Sequence, residues 1–311
     1  MSAIAVEDDV QFDRVARRGP WLQALSRFGR RRLGLVAFGI VALYGLVAAL
    51  AGTLAPYQAG QTFIELIQHP RPPLTPHHLL GTDVLGKDFL TQILYAIHET
   101  MISALVCAVV SVAIGTVIGA IAGYYGGWFD ALVAWATGVV VAVPAVAVLI
   151  LVSVWEFPWT PLRFGLWLTA VLWTGPARAV RASVAQHRGR EYVEAARASG
   201  ASGLRIIVRH LLPNSLGAII VSATTIVGQS IVVIATVDYI GYTSNSYTQP
   251  TLVGLVADAT HSTGLILSSL NASVWTVWWL YVIPSLILVL LLVAVALLGD
   301  ALDDALNPST Q

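Results

Sequence analysis

Long uncharged stretches alternate with short polar ones along this chain. The first, Leu33 to Leu54, has 22 residues. At a rise of ~1.5 Å per residue it crosses a hydrocarbon core of roughly 30 Å. A polar segment from Pro56 to about Gln92 follows. Its prolines, Pro56, Pro70, Pro72, Pro73 and Pro76, mark it as a loop. Thr100 to Phe129 contains no formal charge and predicts a second span, ending at the turn Tyr124-Tyr125-Gly126-Gly127. Ala131 to Trp155 predicts a third, kinked at Pro144. The fourth, Phe164 to Ala177, has only 14 uncharged residues, so Arg163, Arg178 and Arg181 must snorkel at its ends. Asn214 to Val237 predicts a fifth. Trp275 to Leu298 predicts a sixth, entered by an interfacial belt of Trp275, Trp278, Trp279 and Tyr281. In the second span Gly115, Gly119 and Gly123 share one face, which fits either packing within the chain or a subunit interface.

Composition agrees with the pattern. The 311 residues are 57% hydrophobic and 11% charged, with a mean hydropathy of +0.76. Soluble domains carry about 25% charged residues, so an all-α polytopic membrane protein is expected. The formal net charge is zero, and no global field argues for nucleic acid. Cys107 is the single cysteine, which excludes an intrachain disulfide and a cysteine-based metal site. Residues 1–32 are polar and precede a run long enough to span, unlike a cleaved signal.

The basic residues set the orientation. Of 17 Lys and Arg, seven precede the first span: Arg14, Arg17, Arg18, Arg27, Arg30, Arg31 and Arg32. Seven more, Arg178, Arg181, Arg188, Arg190, Arg197, Arg205 and Arg209, lie between spans four and five. Only Arg71, Lys87 and Arg163 fall on the other side. The positive-inside rule then puts both termini and the 178–213 loop in the cytoplasm. The expected layout is a cytoplasmic segment 1–32, a first span 33–55 and an extracytoplasmic loop 56–93. A core of five spans at 94–299, holding a cytoplasmic loop 183–213, and a cytoplasmic tail 300–311 follow.

That cytoplasmic loop is out of character with the chain around it. Glu191 and Glu194 suit the first turn of a helix, and Arg197 is placed to pair with Glu194. Gly200 fits a left-handed stop and Ser202 a second N-cap. Leu204, Ile207, Val208 and Leu211 then form an apolar stripe, ended by Pro213. Ala195, Ala196, Ala198 and Ser199 make the first helix thin enough to enter a groove on another protein. Lying on lipid headgroups fits equally well.

Here the residues carry a resemblance. Glu194-Ala195-Ala196, then Gly200 and Leu212-Pro213, resemble the EAA loop of ABC importer permeases. His210 stands where that pattern usually has isoleucine, and Arg209-His210-Leu211-Leu212-Pro213-Asn214 is similar to the peptide-importer branch. Arg30 to Gly34, Leu54-Ala55-Pro56-Tyr57, Leu80 to Asp88, Ala122 to Asp130 and the tail from Leu298 to Pro308 resemble the dipeptide/oligopeptide permease "C" subunit in order. The chain departs after span five. Where the family usually reads EASLSFLGLG, Ile234 to Gly241 place the acidic residue one turn on, at Asp238.

The resemblance implies a type I ABC importer permease fold with six transmembrane helices and no catalysis of its own. It implies a homologous second permease subunit, two ABC ATPase subunits carrying ATP and magnesium, and an extracytoplasmic substrate-binding protein. Glu194, Ala195, Ala196, Gly200, Leu204, Leu212 and Pro213 become the expected coupling residues. Within this class the cargo is dipeptides or oligopeptides, or nickel chelates. A stand-alone secondary transporter is the alternative from another class, although neither inverted repeats nor mid-span charges are visible. An intramembrane protease lacks a histidine deep enough to activate Ser111.

Other motifs point elsewhere. Gly81-xxxx-Gly86-Lys87 approaches a phosphate loop, but Asp88 stands where Ser or Thr must hold magnesium. His69, His77 and His78 read as a hydrated loop rather than a metal site, and HExxH is absent. His98 and Glu99 at the mouth of span two, and Asp238 near the outer end of span five, fit helix ends or a translocation path.

Overall fold

The computed structural model describes residues 26–67, 69–153, 160–240, 251–270 and 274–306. The described residues are almost wholly helical, with isolated β-bridges only in the 62–88 loop. Helix α1 is Arg32–Leu54. It stops at Ala55, which Pro56 forces into an extended conformation (ψ 125°). Helix α2, Phe89–Tyr125, runs for 37 residues, roughly 55 Å at the standard rise. It starts well before the expected Thr100 because Asp88 caps it, accepting from the Thr91 amide at 2.8 Å. The polar residues before Thr100 are therefore helical, and His98 and Glu99 lie inside α2 rather than at its mouth.

The turn expected after α2 is present, with Gly126 at φ 67°. Beyond it, α3 (Gly127–Ala142) and α4 (Ala145–Ser153) meet at an angle of 73°. The expected kink is thus a break. Pro144 has no amide hydrogen and holds Val143 extended (ψ 124°). Trp155, the expected end of this span, lies outside the described residues.

The fourth segment corrects the sequence reading. Helix α5, Pro161–Leu172, has 12 residues, and α6, Thr174–His187, has 14. Trp173 between them is helical, bonded to Thr169 at 3.3 Å and Ala177 at 3.1 Å. Pro176 removes one ladder bond, which marks the seam. The helical path continues through Arg178 and Arg181, and Arg181 does not snorkel alone: its Nε sits 2.6 Å from Asp130 Oδ1 on α3. Short helices α7 (Glu191–Ala198) and α8 (Gly203–Ile206) follow. Then come α9 (Leu216–Tyr239), α10 (Leu252–Leu270) and α11 (Trp279–Leu306). By length and apolarity α1, α2, α9 and α11 each cross a membrane, and α3 with α4 makes a fifth span if the bent pair is one. The expected count of six needs α5, whose apolar part is too short by itself.

Helix α2 is the hub, packed by α1, α5, α6 and α9. Lipid supplies no hydrophobic drive between spans, so close backbone approach has to hold them. Gly115, Gly119 and Gly123 provide it against α6: a Cβ on Gly115 would lie 2.7 Å from Ala177 N, and one on Gly123 2.6 Å from Arg181 O. The small-residue face is thus packing within the chain. At the end away from α7, Phe89, Ile93, Ile231, Leu280 and Trp279 are buried together. Trp279 is 3% exposed and its Nε1 donates to Thr82 O at 3.3 Å, so it leaves the expected aromatic belt, whereas Trp275 and Trp278 are exposed.

Candidate functional site

The polar insert forms two short helices, as its pattern predicts. Glu191 and Glu194 occupy the first turn of α7. Its end is a Schellman motif. The Gly200 amide donates to Arg197 O at 3.0 Å and the Ala201 amide to Ala196 O at 3.1 Å, with Gly200 at φ 78°. Val193 is fully buried with Val180 and Val184 of α6 and with Ile206, Ile207 and Leu211. Glu194, Ala195, Ala198, Ser199 and Gly200 face outward, while Ala196 turns half inward against that cluster.

Three details differ from the expectation. Arg197 does not join the ion pairs seen among the described residues. Its guanidinium lies 6.0 Å from the Tyr124 ring centroid, a cation–π distance. Ser202 sits at the N-cap of α8 without a side-chain cap bond. The apolar stripe is rotated: Ile206, Ile207 and Leu211 are buried, while Leu204 is 70% and Val208 56% exposed. A π turn over Ile207–Leu211, closed by the Leu212 amide on Ile207 O, shifts the phase of the helix at Val208, while Leu204 lies before it on the face opposite Ile206. Pro213 does not end the helix. It follows the π turn within a single helical turn, Leu212–Asn214, and α9 begins two residues later.

The insert is clamped to the bundle by residues the sequence reading left unassigned. A Cβ on Gly203 would sit 2.8 Å from the Tyr125 hydroxyl. Arg188 Nη1 reaches Gly123 O at 3.4 Å and lies against Gly126. Ser183 Oγ donates to Ser215 Oγ at 3.0 Å, tying α6 to the start of α9. The aromatic pair after three small residues was the available signal for the first of these contacts.

At the other end of the bundle the path candidates occupy distinct places. His98 Nδ1 meets Ala48 O at 2.6 Å and staples α2 to α1. Asp238 is 2% exposed and accepts from the Thr251 hydroxyl, so it is not a helix-end aspartate in water. Thr251 also accepts from the Gly254 amide at 3.1 Å and so caps α10. Leu252 N donates to Thr100 Oγ1 at 3.3 Å, one residue after Glu99, which is itself 7% exposed. Glu99 and Asp258 lie near enough to Asp238 for their charges to interact. The start of α10 therefore draws α2 and α9 together over these carboxylates.

The 62–88 loop excludes phosphate binding by its own bonding. The amides of Gly81, Thr82, Asp83, Leu85, Gly86 and Lys87 all donate within the loop. Gly81 and Gly86 have φ of 80° and 73°, and Cβ atoms there would collide with Arg71 O and Phe63 O. Burial raises the Asp83 carboxyl, opposed by bonds from the Lys87 amide and Gln92. The three histidines are separated in role. His78 bonds Asp88 at 2.9 Å between Tyr57 and Phe63, His77 O accepts from Tyr57, and His69 bonds Ile67 O.

This architecture, a helical bundle carrying a polar helical insert at one end, agrees with comparison to known proteins. Residues 115–311 match the binding-protein-dependent transport system inner membrane component family. The chain belongs to that family. Residues 19–73 also match the N-terminal TM domain of oligopeptide transport permease C. The oligopeptide transport system permease protein OppC of Mycobacterium bovis is 32% identical over 92% of this chain and 94% of its own. A putative peptide transport system permease protein of Brucella suis is 31% identical over 94% and 93%. The glutathione transport system permease protein GsiD of Shigella flexneri is 31% identical over 94% and 91%. The chain is an ABC importer permease and a multi-pass protein of the cytoplasmic membrane.

Proposed function

We propose that this chain is one permease subunit of an ATP-driven importer for dipeptides or oligopeptides, worked by separate ATPase subunits through the insert. The observation that carries the reading is the outward face of α7. Glu194, Ala195, Ala198, Ser199 and Gly200 are exposed on a helix whose opposite side, at Val193, is locked into the bundle. A thin, rigidly mounted helix can enter a cleft and transmit its movement. Exposed Leu204 and Val208 extend that surface, and Leu212 and Pro213 connect it to α9. Ala196 contributes from the inner side by packing beneath the helix.

In this reading six spans place both termini and the insert in the cytoplasm. ATP and magnesium belong to the partner ATPases, and the chain performs no covalent chemistry. A second, homologous permease shares the path, and an extracytoplasmic binding protein delivers cargo. Glu99 and Asp238, beneath the start of α10, belong to the outer gate, and His98 fixes the helix that carries Glu99. Peptide cargo is supported by the names of the similar permeases.

The test is a complex reconstituted in liposomes with both ATPases, the second permease and the binding protein. Uptake of labelled peptides is measured together with ATP hydrolysis. Glu194→Lys is expected to leave the chain inserted and to reduce peptide uptake per ATP by roughly 5–150-fold, the range of a typical coupling energy. Unchanged uptake per ATP would remove the insert from the mechanism.

A further inference from the structure

Helix α9 has a face with no role in the account so far. Val221, Thr225 and Gln229 recur every four residues and form the shared floor of two adjoining cavities of about 580 and 260 Å³. The smaller is walled by α6 and the larger by α11, and both open at the surface of the chain. The hydroxyl of Thr225 is satisfied within the helix, donating to Val221 O at 2.9 Å. Gln229 differs. It is exposed, near the middle of an apolar 24-residue helix, and its carboxamide makes no hydrogen bond among the described residues.

A free carboxamide is costly in hydrocarbon, so this face is not turned to lipid. The groove also has a polar mouth. Asp300 and Asp303 line it at the end near the insert and both are exposed. Between those aspartates and Val233 the lining carries no charge. A groove open at the surface of the chain, with neutral amide and hydroxyl groups between apolar walls, suits the backbone of a peptide. Beyond its acidic mouth it offers nothing that selects a side-chain charge.

We propose that this groove is the chain's wall of the translocation path, and that Gln229 hydrogen-bonds the backbone amides of a passing peptide. The peptide part rests on the proposed function; the water access of Gln229 does not.

The test uses the full complex with Gln229→Cys, Thr225→Cys one turn away as a second reporter, and Leu290→Cys on the outside of α11 as a lipid-facing control. Native Cys107 is fully buried, and the parent complex gives its background. A charged, membrane-impermeant methanethiosulfonate reacts with thiolates in water and hardly at all with thiols in hydrocarbon. The expected result is labelling of both groove positions at least an order of magnitude faster than Leu290→Cys. Trialanine supplied with the binding protein slows the reaction, and the labelled complex stops importing. Labelling as slow as the control overturns the groove, as does fast labelling that trialanine does not slow and that leaves import intact. Crosslinking of either groove cysteine to the second permease, with no effect of trialanine, overturns it in favour of a subunit interface. Import of trialanine by the unlabelled complex is a separate check: its absence overturns the peptide cargo, while the labelling rates still decide the water path.

Discussion

A Cβ on Gly115 would sit 2.7 Å from the backbone nitrogen of Ala177. The same holds a turn on for Gly119, whose Cβ would press on the Ala177 carbonyl. Backbone cannot move aside as a side chain can. Gly115→Ala or Gly119→Ala is therefore expected to force α2 and α6 apart at a cost of about 1–3 kcal/mol, the usual range for overpacking. Gly39→Ala on α1, where nothing lies within 4 Å, is the control and should leave stability unchanged. Thermal unfolding of the detergent-solubilised chain checks this, and equal midpoints for all three variants would refute the packing.

How much of this was legible beforehand depends on which forces set each element. Period and composition mark the apolar cores of α1, α2, α9 and α11, because burial in lipid is read directly from runs of residues. The Gly115, Gly119 and Gly123 face was visible too, but not what it touched, since the partner is α6, about sixty residues on. The early start of α2 was missed because Asp88 capping and the cover from the 62–88 loop and α10 stabilise a polar stretch that lipid alone would exclude. The π turn at Ile207–Leu211 changes which positions of the stripe face inward at Val208, and a fixed helical period cannot show it. Gln229 was overlooked because one amide in a long apolar run hardly alters its hydropathy.

Gly200 stops α7 at φ 78°, with open space where a Cβ would be. The penalty for a side chain there is conformational rather than steric contact, about 1–2 kcal/mol for an L-residue in the left-handed region. Gly200→Val should therefore fray the Schellman motif without unfolding the bundle. Faster amide exchange at Ala198 to Ala201, with exchange in α2 unchanged, is the expected signature. Uptake per ATP should fall in parallel. Unchanged exchange in α7 would show that the glycine is not needed for the stop.

Arg197 sits over Tyr124, which belongs to the last turn of α2. The contact joins the outward-facing helix to the bundle it would drive. At such a site a cation–π contact is worth about 0.5–1 kcal/mol. Tyr124→Leu keeps the apolar packing and removes the ring, so assembly with the ATPases should persist while uptake per ATP drops a few-fold. Arg197→Ala should give a similar loss, and the double variant no further one. Additive losses would mean that the two residues act separately.

The docking of α10 should depend on pH. Asp258 lies on α10, which is not among the described helices long and apolar enough to cross a membrane, and burial pushes its carboxyl up from 3.8 to about 6. Lys87 opposes this most, Asp83 adds to it, and His261 opposes it less; Asp238 also faces Asp258. The docked state holds the proton more tightly than the undocked one. Its contribution to docking is therefore complete below the ordinary carboxylate value and is lost as pH rises through about 6. The Asp83 carboxyl, also raised by burial, acts in the same direction. Amide exchange in residues 252–261, corrected for its intrinsic pH dependence, should slow several-fold between about pH 7.5 and about pH 5. Asp258→Asn mimics the protonated form and should give the slow rate at both values. If α10 exchanges faster at the lower pH, protonation of Asp258 does not govern its docking. Glu99 and Asp238 beneath it would then be uncovered by acid instead of sealed by it.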